Sequence, residues 1–270
     1  MNLAVKISLY ALLFLIPFLM LKMLNNKRNK RRNELAKKRL SQSDRDELIK
    51  DFPLFGKLPK EIRDDLEGLI HVFIEEKGFE ACGGLEEVTP HMQRVVAAQA
   101  CLLIVRRPHD MYKKLRSILL YPSAYTVIGP EGQEDIRLGE SWSTGSVILS
   151  WQNVISGGMN TEDGHHVSLH EFAHQLDQDD GVGDGVPILP ACTTYKEWAS
   201  TMRPAFIQHV KDAEKGKRTP LDHYGAQNPA EFFSVATETF YEKPKQLEKV
   251  YPDLYELFVK YYGVNPLEWR

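Results

Sequence analysis

Cysteine is scarce in this chain. Its 270 residues hold three, Cys82, Cys101 and Cys192, widely spaced and with no C-x-x-C pair. That pattern excludes a disulfide framework and a cysteine-ligated zinc site, and it fits a reducing compartment. Each cysteine reads as a small buried hydrophobe. Positive charge is also scarce once the first 45 residues are set aside. Those carry eleven Lys/Arg against two acids, and the remainder carries 23 against 35. An acidic body of this kind is a poor partner for nucleic acid. Long apolar runs are absent apart from one at the start, and no small-x-small cleavage site follows it, which argues against a removed signal peptide.

That one run extends from Leu3 to Leu24, interrupted by Lys6, Ser8 and Lys22. Some twenty apolar residues suffice to span a bilayer, and Pro17 is tolerated inside such a span. Both lysines lie near its ends, where they can snorkel. A dense basic stretch follows: Lys27, Arg28, Lys30, Arg31, Arg32, Lys37, Lys38 and Arg39. The positive-inside rule places that side in the cytoplasm. The expectation is a single-pass anchor over residues 1–24, a basic juxtamembrane linker over 25–50, and a folded body over 51–270 facing the cytoplasm from the inner membrane. The linker reads as a solvated flank, with contact to anionic headgroups as an alternative.

The body opens with helical periodicity from Pro59 to about Glu76 and a second helix capped by Thr89 and Pro90, running to about Val105. Neither carries chemistry, and His71, His91 and His109 read as satisfied or exposed histidines. Tyr125–Ile128 and Ser146–Trp151 read as strands of a small mixed sheet, with Gly129, Gly132, Gly139 and Gly145 marking turns. Val147–Trp151 is the candidate edge strand for an extended peptide, with an interior strand as the alternative.

His170-Glu171-Phe172-Ala173-His174 carries the chemistry. On a helix, residues four apart share a face, so both imidazoles can reach one ion. Glu171 lies on an adjacent face, where a carboxylate can hold a water and take its proton. The helix is expected from about Gly164 to Asp177, capped by Thr161 or Asp163. Asp177, on the same stripe, is a candidate ligand or an acceptor orienting a ligand imidazole. Asp179, Asp180 and Asp184 follow in a Gly-rich loop that reads as solvated, with calcium binding as an alternative.

A third ligand must come from elsewhere. Asn228-Pro229 opens another helix, and Glu231 falls in its first turn, either as a metal ligand or as a capping-box residue. Glu238, two turns on, is a candidate anchor for a ligand histidine. Tyr224 could donate to an oxyanion; His223 could do the same or be the third ligand.

HEFAHQLD, the downstream Y-x6-E, and NPAEFFSVATETFYE together resemble the Mlc titration factor A family of zinc peptidases. The likeness runs from about Phe52 to the C-terminus and includes GES-W and VILSW. Members are gluzincin-like, with a core similar to the anthrax lethal factor protease domain. The resemblance implies an α+β, mainly helical zincin-like domain and one Zn2+ ion. It implies His170, His174 and Glu231 as ligands, Glu171 as base and Tyr224 as transition-state donor, and aminopeptidase-like action on peptide or protein substrates. It also brings a transcriptional regulator as a partner. The competing expectation is a membrane-anchored regulator-binding module with a structural zinc site.

Overall fold

The computed structural model describes residues 3–128, 134–142 and 144–269. For residues 3–14, 127–128 and 134–136 only the backbone is described. Four helices come first: α1 (Leu3–Leu35), α2 (Gln42–Asp51), α3 (Pro53–Lys57) and α4 (Lys60–Glu76). Strand β1 (Gly78–Ala81) and helix α5 (Pro90–Leu102) follow, then β2 (Ser117–Tyr121), β3 (Tyr125–Ile128), β4 (Glu134–Arg137), β5 (Gly139–Trp142) and β6 (Ser146–Ser150). The rest is helical: α6 (Trp151–Met159), α7 (Val167–Asp177), α8 (Tyr195–Glu214), α9 (Pro229–Glu242), α10 (Pro244–Val250) and α11 (Pro252–Tyr262). The fold is α+β, mainly helical with a small mixed sheet.

The main sheet has the order β1-β2-β6-β5. β1, β2 and β6 are parallel, and β5 is antiparallel to β6. The expected edge strand is thus an interior one. Val147, Ile148 and Leu149 are all buried, as a strand covered on both faces requires. The edges are β1 and β5, and β5 is the one beside α7. Ser150 N donates to Leu138 O, so ladder alternation turns the Gly139 and Ser141 backbone groups away from β6. The other expected strand, β3, pairs with β4 in a separate two-stranded sheet. Gly129 and Gly132 lie outside the described residues.

α7 lies in the middle of the body, against β5, β6, α5 and α9. Its Phe172 packs on Phe73 of α4 (ring centroids 5.9 Å apart) and on Tyr112 (5.5 Å). α9 is backed by an aromatic cluster of Trp198, Phe233, Phe240, Phe258 and Tyr261, all buried. Every residue of α9 from Phe232 to Glu242 is buried, so the helix has little room to shift.

The N-terminal segment departs from expectation. Among the described residues no helix is long and apolar enough to cross a membrane, so the transmembrane helix expected over 1–24 finds no support there. Residues 1–2, and the side chains of 3–14, lie outside the described residues. Leu15 to Leu24 are exposed. The basic stretch is not only a solvated flank. Arg31 pairs with Glu75, and Arg32 grips Glu76 with two nitrogens and Asp110 with a third. Arg45 forks onto Glu67, a fully buried carboxylate that also accepts from Leu40 N. Leu35 and Leu40 join the core. The three cysteines are free.

Candidate metal centre

α7 starts later than its sequence suggests. The cap is His166, whose Nδ1 accepts from Leu169 N, and not Thr161 or Asp163. Burial pushes the His166 imidazole down to about 3, so it stays neutral and can accept. Its backbone N–H donates to Glu238 of α9. The start of α7 is therefore tied to α9 before the motif begins.

On the next turn His170 and His174 bring their Nε2 atoms within 3.2 Å of each other. Glu231 Oε2 lies 3.0 Å from the first and 3.3 Å from the second. For bonds of about 2.0–2.1 Å, donors around a tetrahedral ion sit roughly 3.3–3.4 Å apart, so the triangle has the right size for zinc. The chemistry of the donors points the same way. His170 Nδ1 lies 2.7 Å from Glu238 Oε1 and donates to it, which leaves the Nε2 lone pair aimed at Glu231 and His174. Three lone pairs facing one point require a cation. Without a metal, that cation is a proton: burial would lower His170, but Glu231 and Glu238 outweigh it and raise it well above its usual value. For Glu231, burial acts upward, yet the two histidines hold its carboxyl down at about 2. Among the described residues, His170, His174 and Glu231 form the one group placed to hold a metal.

Glu171 points to the other side of the same cleft, toward β5. It is 7% exposed, and burial, opposed by His170 and assisted by the carboxylates of Glu231, Glu238 and Glu140, raises it to about 7. Its close neighbour is Gly139. A Cβ there would come within 2.8 Å of Glu171 Cγ and Oε1, so only glycine leaves the carboxylate its place. The cleft, about 1300 Å³, runs between this edge strand and the start of α9.

The glucose-regulated metallo-peptidase M90 family matches residues 25–263. The chain belongs to this metallopeptidase family. An uncharacterized protein of Synechocystis sp. is 38% identical over 225 residues, covering 80% of this chain and 82% of its own. The Mlc titration factor A proteins of Pectobacterium atrosepticum and Yersinia pestis are 30% and 29% identical, over 80% of this chain and 84% and 83% of theirs. As a family member the chain is expected to hold a metal ion, and the triangle of His170, His174 and Glu231 fits one.

Not every residue singled out from the metallopeptidase sequence reaches the metal triangle. Tyr224 lines the cleft, half exposed, its ring centroid 5.9 Å from that of His170. Asp222 caps the short 3-10 turn His223–Ala226 that carries it. His223, its neighbour on that turn, faces away, its Nε2 bonding Lys217 O. Asp177 lies one turn past His174, and its Oδ2 accepts from Gly185 N. Gly185 has φ +82° and a Cβ there would meet Pro229 O at 2.5 Å, so Asp177 positions the loop that abuts the start of α9. Asp180 and Asp184 accept from Val182 N and Val186 N within their own turns, which is how a solvated loop uses its acids. Asn228 caps α9 by accepting from Glu231 N, while the Glu231 carboxylate turns to the histidines rather than back to the cap. His91 bonds Asp51, and His109 accepts from Met111 N. The sequence reading missed His166, which has no usual capping signature, and Gly139. A lone glycine inside a strand is the signal that would have found the second.

Proposed function

We propose that this metallopeptidase is a zinc-dependent, gluzincin-type peptidase, with His170, His174 and Glu231 holding the ion. The observation that carries the reading is the convergence of these three donor atoms beside a buried carboxylate that binds none of them. A purely structural site has no use for Glu171. The ion, when bound, supplies Lewis acidity that polarises the scissile carbonyl and acidifies water. Glu171 accepts the proton of the attacking water and delivers it to the leaving amine nitrogen as the C–N bond breaks. Tyr224 donates its hydroxyl proton in a hydrogen bond to the oxyanion. Glu238 keeps the His170 ring turned and its Nε2 unprotonated. The backbone groups of Gly139 and the N–H of Ser141, turned away from β6, would pair with an extended peptide laid along β5, while Ser141 O already accepts from Gln178 Nε2.

Aminopeptidase-like action on short peptides is the finer form of this reading. Asp163, Asp184 and Asp222 line the cleft and would attract a free α-ammonium group. Tethering to the cytoplasmic face of the inner membrane is proposed from the apolar run 3–24 and the basic stretch after it, and the exposure of Leu15 to Leu24 supports it. The name of the relatives, Mlc titration factor A, favours a second reading, capture of a transcriptional regulator. Zinc content and cleavage of a peptide library, measured for the wild type and Glu171→Gln, separate the two. Retained zinc with lost cleavage supports the peptidase. Retained zinc with unchanged cleavage removes Glu171 as the base, and a wild type that cleaves nothing leaves the capture reading.

A further inference from the structure

The turn that carries Tyr224 is four residues long, and a 3-10 turn of that length has few bonds of its own. Gly225 N donates to Asp222 O at 3.1 Å, and Gln227 N donates to Tyr224 O at 3.2 Å. Its place is therefore set by what holds it from outside, and Asp222 is where it is held. Asp222 Oδ1 accepts from Tyr224 N, and Oδ2 lies 3.5 Å from His165 Nε2 in an exposed pair. The Asp222 carbonyl has a second bond, 2.9 Å long, to His209 Nε2 of α8.

A histidine is costly at that position. His209 is fully buried, and among the described residues its Nδ1 has no hydrogen-bond partner. An apolar side chain would leave nothing unpaired there, so the reason for a histidine lies at its other nitrogen. A carbonyl oxygen only accepts, so Nε2 carries the proton and donates. Burial lowers the imidazole's pKa and keeps the ring neutral. The ring is also wedged in place. Its centroid lies 5.7 Å from that of Phe232, the residue after Glu231 on α9, and 6.2 Å from that of His223 on the turn. Phe206, one turn earlier on α8, packs on the same Phe232 at 5.6 Å. One side chain thus touches both the helix that carries Glu231 and the turn that carries Tyr224. We propose that His209 is a positioning residue that fixes Tyr224 relative to the metal triangle through its bond to Asp222 O. This rests on the reading of Tyr224 as the oxyanion donor, and it gives that donor a set distance from the triangle.

The test measures zinc content, peptide cleavage and amide hydrogen exchange in the full chain. His209→Leu and His209→Phe both remove the donor, and the second keeps a ring against Phe232 should the first not fold. In either, kcat should fall by about 10–100-fold with KM and zinc content unchanged, since a donor displaced by about an ångström no longer meets the oxyanion. His209→Gln, whose side-chain amide also donates, should restore most of the rate. In a Tyr224→Phe background the first two substitutions should change kcat by less than about twofold, because the group they misplace is gone. Exchange at the Tyr224 and Gly225 amides should quicken in His209→Leu and His209→Phe and recover in His209→Gln, while the amides inside α9 keep their protection. That readout needs no cleavage: a wild type that hydrolyses nothing sinks the peptidase reading, and exchange still decides what holds the turn. Unchanged exchange, an unchanged kcat in an enzyme that cleaves, no rescue by His209→Gln, or an equal loss in the Tyr224→Phe background overturns the proposal.

Discussion

The two helices that build the metal triangle are made differently. α7 carries two of the three donors and the candidate base within five residues, but its start is weakly specified, with a neutral histidine for a cap. α9 carries one donor, yet its start is fixed by Asn228 and Pro229 and its flank by an aromatic cluster. The weaker helix is aligned by the stronger one. Glu238 holds both the His166 N–H and the His170 ring, and Glu242 holds Gly164. α7 brings the reactive groups, and α9 brings the geometry that makes them act together.

Substitutions on each helix should therefore fail in different ways. Glu171→Gln on α7 should cost the most in rate, about 10²–10⁴-fold in kcat for loss of a general base, with zinc content unchanged. Metal lost together with the rate would show that Glu171 also secures the ion. Glu238→Gln on α9 should lower zinc affinity by about 10–100-fold in chelator competition, although it touches no ion. An unaltered affinity would mean that α7 orients its own histidines. Glu231→Gln belongs beside it: if zinc binding survives that change intact, Glu231 is no ligand.

Glu242 sharpens the comparison through pH. Its folded value of about 9 lies far above 4.5, the ordinary value for the side chain. Between those limits the folded protein keeps a proton that the unfolded chain has released, so stability falls as pH rises. One proton contributes about 1.4 kcal/mol per pH unit to that slope. Glu242→Gln should flatten the fall between about pH 5 and 9 in denaturant titrations; an unchanged slope would mean the carboxyl is ionised in the fold. The smallest effect expected is that of Asn228→Ala, about 1 kcal/mol of stability for a lost cap, read from the unfolding midpoint.

Much of this was legible because it is local. The four-residue spacing of His170 and His174 and the Asn-Pro start of α9 are properties of short segments, and they survive folding unchanged. Glu231 was harder, since a first-turn Glu can cap its own helix, and only the approach of α7 decides where it turns. Strand order was not legible. SVILS reads as a strand in any sheet, and its position between β2 and β5 depends on which neighbours arrive. Its unbroken apolar character was the clue to an interior place, whereas the polar GESW, with its glycine, marked the edge. Tyr224 and His223 show the same limit: adjacent residues on one tight turn, one facing the cleft and one facing away. Asp177 shares a stripe with the histidines, but it lies seven residues, about 10 Å of helix rise, beyond His170, and its carboxylate is turned to Gly185 N.

The 33-residue length of α1 has a mechanical meaning. At about 1.5 Å per residue it is a strut of roughly 50 Å. Its far end is bolted to the body by Arg31, Arg32 and the buried Leu35. A floppy leash would let the cleft sweep a volume and choose its own orientation. Under the proposed tether, a helix of that length, interrupted by Pro17, would set the standoff of the cleft and limit its heading.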